Sequence, residues 1–574
     1  MRQKLAILCS LGLTLTGQIF GQAAAAVPTS DLTFDHVVDY AIFQENTLLK
    51  VLRGEHPLVE TYIQDMGPDA DFGAAPKTDH YFLGKLDLSK GVSTDSFVMK
   101  SKKKATTNVF GHLFSIEYVP RGFAQTILID GGQFDRNHYT FEFVRREFLG
   151  DVRTYVINVA PKKDAGSGRF VGRIWVEDKK FNIVRFNGTY SKAAGGQFYM
   201  HFDSWRVNCG PDLWVPYESY SEESALPYAF GLAKRRFKAV SHVWGYTTAA
   251  NRRAGELTNI TVDLPGGQDK VGQAVDTSPV ENLRAWEREG EENVLDRLES
   301  ANLLAPKGEV EKILDTVVNN LIVTNNLTIV PDVRTRVILT TPLETFTVGH
   351  TIVISRGLLD TLPDEASLAA ILAHELAHIA LGQQIDTKFA FSDRVIFDDD
   401  EVLSHFRFAR SQTEEEAANT EALKLLEKSP YNDKLNQAGL FLKALAAEAP
   451  RLPNLIKPLF GSRMAENNNV ERMAGLLQRA PELQRTHVEQ IAALPLGART
   501  SLDPWSDRLR MTVTHAVPLL SAREKMAFEI TPIFLNLKYE SVAKEQLAED
   551  SPAGKPAPAP SSSVPVAAVA GGPQ

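Results

Sequence analysis

Cysteine is scarce in this chain of 574 residues, which contains only Cys9 and Cys209. Cys9 lies in a segment that we expect to be removed, so the mature protein keeps one thiol and forms no internal disulfide. Its fold therefore cannot depend on cross-links. A metal site in this chain must use histidine, aspartate or glutamate, because a cysteine cluster is excluded.

The chain also lacks an excess of positive charge, since 62 Lys and Arg residues stand against 71 Asp and Glu residues, for a formal net charge of -9. The densest basic run, residues 102–104, indicates a solvated loop rather than a nucleic-acid patch. Hydrophobic residues make up 43% of the chain, which is normal for a soluble protein with a sizeable core. We predict two to four globular domains and no nucleic-acid partner.

Long apolar runs are absent except near the start of the chain. Two basic residues precede a mostly apolar stretch at residues 5–20, and small residues follow. This pattern is typical of a secretory signal peptide, residues 1–25, cleaved after Ala23 or Ala25. The alternative is an uncleaved anchor, which the polar residues in a short span disfavour. We expect a periplasmic or secreted protein of the bacterial envelope, with no transmembrane segment in the mature chain.

The next part of the chain, residues 29–263, predicts a helix followed by an antiparallel sheet. Residues 29–66 have apolar residues at helical spacing. From residue 81 to residue 262, short runs rich in Val, Ile, Phe, Tyr and Thr alternate with turn residues. This spacing is typical of hairpins and favours a half-open barrel or a sandwich.

The remainder divides by composition into three segments. Residues 264–302 begin with a Pro- and Gly-containing linker and continue as a charged helix. Residues 303–543 open with mixed α/β texture and become almost entirely helical. Residues 544–574 are rich in Pro, Ala, Ser and Gly and predict a disordered tail. The fold class expected for the whole chain is α+β.

One motif carries chemistry: His374 and His378 lie four residues apart in the apolar helical pattern of residues 366–382, and Glu375 follows the first of them. Residues four apart share a helix face, so both imidazoles can reach one ion. Glu375 is turned by about 100 degrees from His374, and it can reach a metal-bound water. Zinc lowers the pKa of that water to about 7. The motif predicts one zinc ion per chain, with Glu375 as general base.

A zinc site of this type needs a third protein ligand. The extended motif HExxHxxGxxH is absent, so this ligand must lie farther along the chain. Residues 410–422 offer glutamates on a second predicted helix. Spacing does not choose among them, and most acids in such a run are solvated. The candidates are Glu414, Glu415, Glu416 and Glu421.

With these segments in view, residues from about 305 to 480 resemble the HtpX and CAAX-prenyl-protease-like metallopeptidases, gluzincins of peptidase family M48. Residues 347–359 are similar to the family strand and turn before the active helix, and residues 411–419 are similar to its SRxxExxAD segment. The resemblance implies that Glu415 is the third zinc ligand. It also implies a mostly helical zincin-type domain with a small edge-stranded sheet, and hydrolysis of peptide bonds in protein substrates.

Three positions depart from the family pattern. Gln412 stands where the family has an arginine. Asn419 stands where the family has an aspartate that commonly contacts the metal ligands from outside. The change at residue 419 therefore predicts weaker metal binding or an altered orientation of a histidine ring. Arg463 stands where the family often has a histidine. It would either stabilise an oxyanion or form a surface salt bridge.

Residues 345–355 have alternating character, which indicates either an edge strand to which a peptide substrate adds or an ordinary core strand. His350 lies in this segment and is not predicted to be a ligand. The other histidines outside the motif lack paired spacing and are expected to be ordinary surface or core residues.

In the β region, residues 173–186 read as a strand, a turn and a strand. This hairpin resembles those of LolA-like lipoprotein-carrier domains, over about residues 80–262. The resemblance implies a concave apolar surface for a lipid or a lipidated or unfolded client. The alternative is a scaffold or a substrate-gating domain.

Two functions follow from the sequence. The first is a zinc endopeptidase acting on envelope or misfolded proteins. The second is a lipid- or client-binding, chaperone-like envelope protein with an impaired peptidase domain. Intact His374, Glu375, His378 and Glu415 favour the first.

Overall fold

The structure is a computed structural model, and it describes the following residues: 33–70, 73–89, 93–96, 118, 120–191, 200–210, 213–228, 233–246, 279–385, 387, 389–392, 402–403, 405–406, 408–487, 490, 500–503, 508–511 and 539. The predicted signal peptide and the predicted tail lie outside the described residues. Among the described helices, none combines the length and the apolar character needed to cross a membrane.

Helix α1, Phe34–Leu52, is the first described element, and it begins at the N-cap Thr33. The predicted helix at residues 29–66 is therefore too long, because strand β1 already starts at Leu58. Gly54 and Pro57 separate the two elements, and both residue types disfavour helix interiors. The first residues of β1 are buried at consecutive positions, so its apolar spacing does not distinguish a strand from a helix.

Ten strands form one antiparallel sheet in the order β3-β2-β1-β10-β9-β8-β7-β6-β5-β4. The two end strands, β3 and β4, each have one neighbour, so the sheet is open. The prediction of a large antiparallel sheet is confirmed. The strands are β1 Leu58–Asp69, β2 Gly73–Asp87, β3 Ser93–Ser96, β4 Tyr139–Leu149, β5 Val152–Pro161, β6 Phe170–Glu177, β7 Ile183–Tyr190, β8 Phe202–Gly210, β9 Leu213–Tyr228 and β10 Ala233–Trp244.

Side chains of the protein itself pack on both faces of strands β6, β7 and β8. On one face, α1 packs against a cluster that includes Ile174 and Phe186. On the other face lie three tryptophans, and the guanidinium of Arg185 is 4.3 Å from the rings of Trp175 and Trp205. A short helix, α2 (Pro120–Gln125), precedes β4. The described sheet therefore gives no support to a lipid-binding cavity of the kind that the LolA-like resemblance implies.

The second half is mostly helical, as predicted, with a small sheet. Strands β11 (Arg334–Ile338), β12 (Thr345–Val348) and β13 (Thr351–Ser355) pair in the order β11-β13-β12. Strand β13 is parallel to β11 and antiparallel to β12. The helices are α3 Pro279–Ser300, α4 Glu309–Thr324, α5 Arg356–Thr361, α6 Glu365–Ala380, α7 Gln412–Glu427, α8 Leu435–Glu448 and α9 Pro453–Ile456. Short 3-10 helices at Asn432–Lys434 and Ala474–Gln478 and two small hairpins, β14 (Ala465–Glu466) with β15 (Asn469–Val470) and β16 (Thr500–Asp503) with β17 (Arg508–Met511), complete the described elements.

The large sheet contacts the helical half through buried polar groups. Glu60 of β1 accepts hydrogen bonds from the N–H of Thr341 at 2.6 Å and from its hydroxyl at 2.7 Å. Arg356 donates to the same carboxylate at 2.8 Å. Asp79 of β2 accepts from the N–H groups of Asn454 and Leu455 at 2.9 and 2.8 Å. These bonds hold β1 and β2 against the start of α5 and against α9.

Candidate metal centre

Helix α6 contains the histidine motif and lies in the core of the helical half. Its N-cap Asp364 accepts a hydrogen bond from the N–H of Ser367 at 2.8 Å, which satisfies one free donor at the helix start. Nearly every residue of the helix is buried, including His374, Glu375 and His378. An all-round apolar helix is the expected form for a buried element. The three polar side chains therefore need partners inside the protein.

The two histidines meet a carboxylate from another helix. His374 Nε2 lies 3.0 Å from Glu415 Oε2 and 3.2 Å from His378 Nε2. His378 Nε2 lies 4.0 Å from the same Glu415 oxygen. One ligand atom of each residue falls within 4.8 Å of the others. The structure thus brings together the three residues that the sequence resemblance proposed.

Helix α7 explains why Glu415, and not a neighbouring glutamate, reaches the histidines. Glu414 forms a capping box with the N-cap Ser411 at the exposed start of the helix. Glu416 accepts a hydrogen bond from Gln412, and Glu421 accepts one from Lys424. These three acids lie on other faces of the helix. The helical period therefore directs Glu415 alone among these four glutamates towards the histidines.

Hydrogen bonds also orient the histidine rings. His378 Nδ1 donates to Gln383 Oε1 at 2.5 Å, so its Nε2 is left as the electron-pair donor that faces the group of three. His374 Nδ1 is buried and has no hydrogen-bond partner among the described residues. Asn419, which replaces the family aspartate, accepts a hydrogen bond from the N–H of Met473 at 2.7 Å. Its amide therefore supports the segment around residue 473.

This donor set fits zinc. Tetrahedral zinc with ligands at about 2.0–2.1 Å places its ligand atoms about 3.3 Å apart. Two of the three distances, 3.2 and 3.0 Å, are close to this value, and the third is 4.0 Å. Two imidazoles and one carboxylate are ligands that zinc commonly takes when one coordination position stays open. His374, His378 and Glu415 can thus hold a zinc ion.

Glu375 lies beside this group and is held by two other residues. Its Oε1 accepts hydrogen bonds from the hydroxyl of Thr345 at 2.6 Å and from Arg472 Nη1 at 2.8 Å. Burial raises the pKa of Glu375, but the charge of Arg472 and the neighbouring histidines lower it more, so that its pKa lies below its ordinary value. The side chain is therefore an ionised carboxylate at neutral pH, as a general base requires.

Burial and neighbouring charges also shift the pKa values of Glu415 and His374. Burial raises the pKa of Glu415, while the hydrogen bond with His374 and the charge of Arg472 lower it, and its net pKa lies well below the usual range. Burial and the charge of Arg472 lower the pKa of His374, Glu415 and Glu375 raise it, and its net pKa lies below the ordinary value. An ionised carboxylate and a neutral imidazole are the forms that bind metal.

Arg472 is the site residue that sequence reasoning missed. The sequence drew attention to Arg463, which the structure places in an exposed ion pair with Glu466. Of the two alternatives for Arg463, the surface salt bridge is the one observed. Arg472 is 3% exposed and contacts both Glu375 and Glu415. It follows a short Asn-rich hairpin, and no periodic pattern in the sequence indicates that it is buried.

Strand β12 is one of the two edge strands of the small sheet, whereas β13 is central. All four β12 residues are buried. The ring of Phe346 packs 4.6 Å from Phe408 and 6.0 Å from Phe460, and Arg410 donates to Thr347 at 2.7 Å. The backbone carbonyl of Thr345 accepts a hydrogen bond from Arg472 Nη1 at 3.4 Å, so the edge is covered at this residue. His350 lies in the turn between β12 and β13, outside the group of three ligands, as expected.

Comparison with known proteins agrees with this geometry. The model of peptidase family M48 matches residues 311–393, which include α4, the small sheet and the histidine motif of α6. No curated protein matches the chain. The match covers the two histidines and Glu375 but ends before Glu415. The predicted resemblance to peptidase family M48, a family of metallopeptidases, is thereby confirmed for residues 311–393.

Proposed function

We propose that this protein is a zinc-dependent endopeptidase in which His374, His378 and Glu415 hold the metal and Glu375 is the general base. The observation that carries the proposal is the convergence of one ligand atom from each of the three residues, from two helices, to within 4.8 Å. The family match at residues 311–393 supports a metallopeptidase activity independently of these distances.

Each residue then has a defined task. A bound zinc ion supplies a Lewis acid and lowers the pKa of water to about 7. Glu375 accepts a proton from the attacking water and delivers it to the leaving amine nitrogen as the C–N bond breaks. Thr345 and Arg472 hold the Glu375 carboxylate for both transfers. Gln383 keeps His378 in the tautomer that presents Nε2.

We propose that the substrates are envelope or misfolded proteins and that the enzyme works in the periplasm or outside the cell. The support is the pattern of residues 1–25, which is typical of a secretory signal peptide. These residues lie outside the part of the chain that the structure describes.

One observation keeps a second function open. At the edge of β12 the backbone carbonyl of Thr345 already accepts a hydrogen bond from Arg472 at 3.4 Å, and a peptide strand cannot pair with a carbonyl that is occupied. An envelope protein that binds unfolded clients, with an impaired peptidase half, would show the same arrangement.

The decisive experiment compares the purified wild type with Glu375→Gln. We expect about one equivalent of zinc in both proteins, because Glu375 is not a ligand. Casein cleavage should fall by at least about 10²-fold in the variant, the usual contribution of a general base. Zinc at one equivalent without any cleavage that depends on Glu375 would favour the client-binding protein.

A second comparison tests the choice of the third ligand. Glu415→Ala should lose zinc, since the carboxylate that faces His374 is removed. Glu414→Ala and Glu416→Ala are matched controls on the same helix turn and should retain it. Loss of zinc in either control, with retention in Glu415→Ala, would show that the carboxylate was assigned wrongly.

A further inference from the structure

A buried guanidinium lies between the proposed metal ligand and the proposed base. Arg472 Nη1 lies 2.8 Å from Glu375 Oε1. On its other side, Nη2 lies 3.2 Å from Glu415 Oε1, and Nε lies 3.2 Å from Glu415 Oε2. One planar cation thus contacts two carboxylates of different function. Arginine suits this task because its fork of donors is rigid, whereas lysine presents a single point charge.

The contacts distinguish the two oxygens of Glu415. Oε2 faces the histidines, 3.0 Å from His374 Nε2. Oε1 accepts the hydrogen bond from Arg472 Nη2. Arg472 Nε lies 3.2 Å from Oε2 but forms no hydrogen bond, so the bond from Nη2 to Oε1 sets the rotation of the carboxylate, which presents Oε2 to the ligand group. Outer contacts of this kind are known to set ligand orientation at metal sites.

Helix α7 also anchors the segment that carries Arg472. The N–H of Met473 donates to Asn419 Oδ1 at 2.7 Å, and Asn419 lies one turn after Glu415 on the same helix. Met473 has a left-handed backbone conformation with φ of 59°, and the chain turns there into the 3-10 helix Ala474–Gln478. The ligand and the arginine that holds it therefore share one rigid support.

We propose that Arg472 is a positioning residue that joins the metal ligand Glu415 to the general base Glu375, an inference that rests on the proposed zinc peptidase function. It fixes which oxygen of Glu415 meets the metal, and it keeps Glu375 beside the site. It also places a positive charge beside the buried carboxylate of Glu375 and the partly buried carboxylate of Glu415.

The test measures zinc affinity by chelator competition, and kcat and KM at saturating zinc, for Arg472→Ala, Arg472→Lys and Arg463→Ala. Arg472→Ala should weaken zinc binding by about 10- to 100-fold. It should also lower kcat at saturating zinc, with little change in KM, because Glu375 is displaced. Arg472→Lys should fall between wild type and Arg472→Ala. Arg463→Ala, a nearby exposed arginine, should equal wild type.

Wild-type zinc affinity in Arg472→Ala would overturn the inference, and so would an equal loss in Arg463→Ala. If Arg472→Ala does not fold, Arg472→Lys and Asn419→Ala decide, since each must bind zinc more weakly than Arg463→Ala. Failure of the wild type itself to bind zinc is a different result, which contradicts the proposed function rather than the role of Arg472.

Discussion

Glu344, directly before strand β12, is a buried carboxylate that ties this strand to the segment covering it. Its Oε2 accepts hydrogen bonds from the N–H groups of Leu459 and Phe460, both at 2.9 Å. Its Oε1 accepts one from the hydroxyl of Thr340 at 3.2 Å. Burial raises the pKa of Glu344 to about 7, although these hydrogen bonds act in the opposite direction.

This shift predicts a pH dependence of stability. The folded protein holds the proton more tightly than the unfolded chain, so the stabilisation is complete below pH about 4.5 and is lost as the pH rises through about 7. The loss from this group is roughly 3 kcal/mol of unfolding free energy. Urea unfolding between pH 4.5 and 8 should show the decline in wild type and a weaker one in Glu344→Gln. Glu466→Gln, at an exposed carboxylate, should keep the wild-type slope; equal slopes in all three proteins would contradict the assignment.

Gln383 is the residue that orients the ring of His378. Its side-chain oxygen is the partner of His378 Nδ1 at 2.5 Å, so Gln383→Ala should release the ring and weaken zinc binding by about tenfold or more. Chelator competition measures this change. Gln384→Ala is a matched control, because its side chain donates instead to Glu287 on α3, at 3.4 Å. Equal affinities in the two variants would mean that the ring is oriented by helix packing alone.

Among the elements, the junction between β13 and α5 depends on the absence of a side chain. A Cβ at Gly357 would lie 1.7 Å from the carbonyl oxygen of Thr341, which is backbone and cannot move alone. The N–H of Gly357 donates to Thr340 at 3.1 Å in the same contact. Close approach of two backbones therefore holds α5 against the loop that also binds Glu60.

Gly357→Ala should accordingly destabilise the protein by about 1–3 kcal/mol, the range for overpacked sites. Gly67→Ala is the control, because its Cβ would meet Lys77 at 3.6 Å, an ordinary contact. Denaturant unfolding of both variants measures the difference. A Gly357→Ala protein as stable as Gly67→Ala would show that the loop of Thr341 adjusts freely.

Elements with strong local signals were predicted well. The strand, turn and strand predicted at residues 173–186 correspond to β6, β7 and the turn between them. The charged helix predicted after the linker is α3. The first helix was extended wrongly into β1, since that strand is buried at consecutive positions and lacks the alternation of a half-buried strand.

At the scale of the whole molecule, Glu60 is the polar centre of the contact between the large sheet and the helical half. It is fully buried and accepts hydrogen bonds from Thr341, Arg356 and Tyr81. Burial raises its pKa, but the hydrogen bond of His242 and the charge of Arg356 lower it more, and the net pKa lies below its ordinary value. The carboxylate is thus the counter-charge for Arg356, an arginine that is partly buried.

Glu60→Gln should lower the unfolding free energy by about 3 kcal/mol, because it leaves Arg356 without its charged partner. Glu292→Gln is the control, since Glu292 pairs with Arg334 at an exposed position and should change stability by less than about 1 kcal/mol. Thermal unfolding of the two variants checks the contrast. Similar values for both would mean that the sheet and the helical half are held together by apolar contacts.

By itself, the sequence predicted the two histidines of a metal site, because a spacing of four residues in an apolar helix brings two imidazoles to one face. It also determined the α+β class, since strand and helix patterns are local. Only the tertiary structure decided that Glu415 reaches the histidines by geometry, that Arg472 joins it to Glu375, and that the edge of β12 is covered at Thr345. The contacts of Glu415 with His374 and of Arg472 with Glu415 and Glu375 connect residues 41 to 97 positions apart, and no local pattern encodes a meeting of that kind.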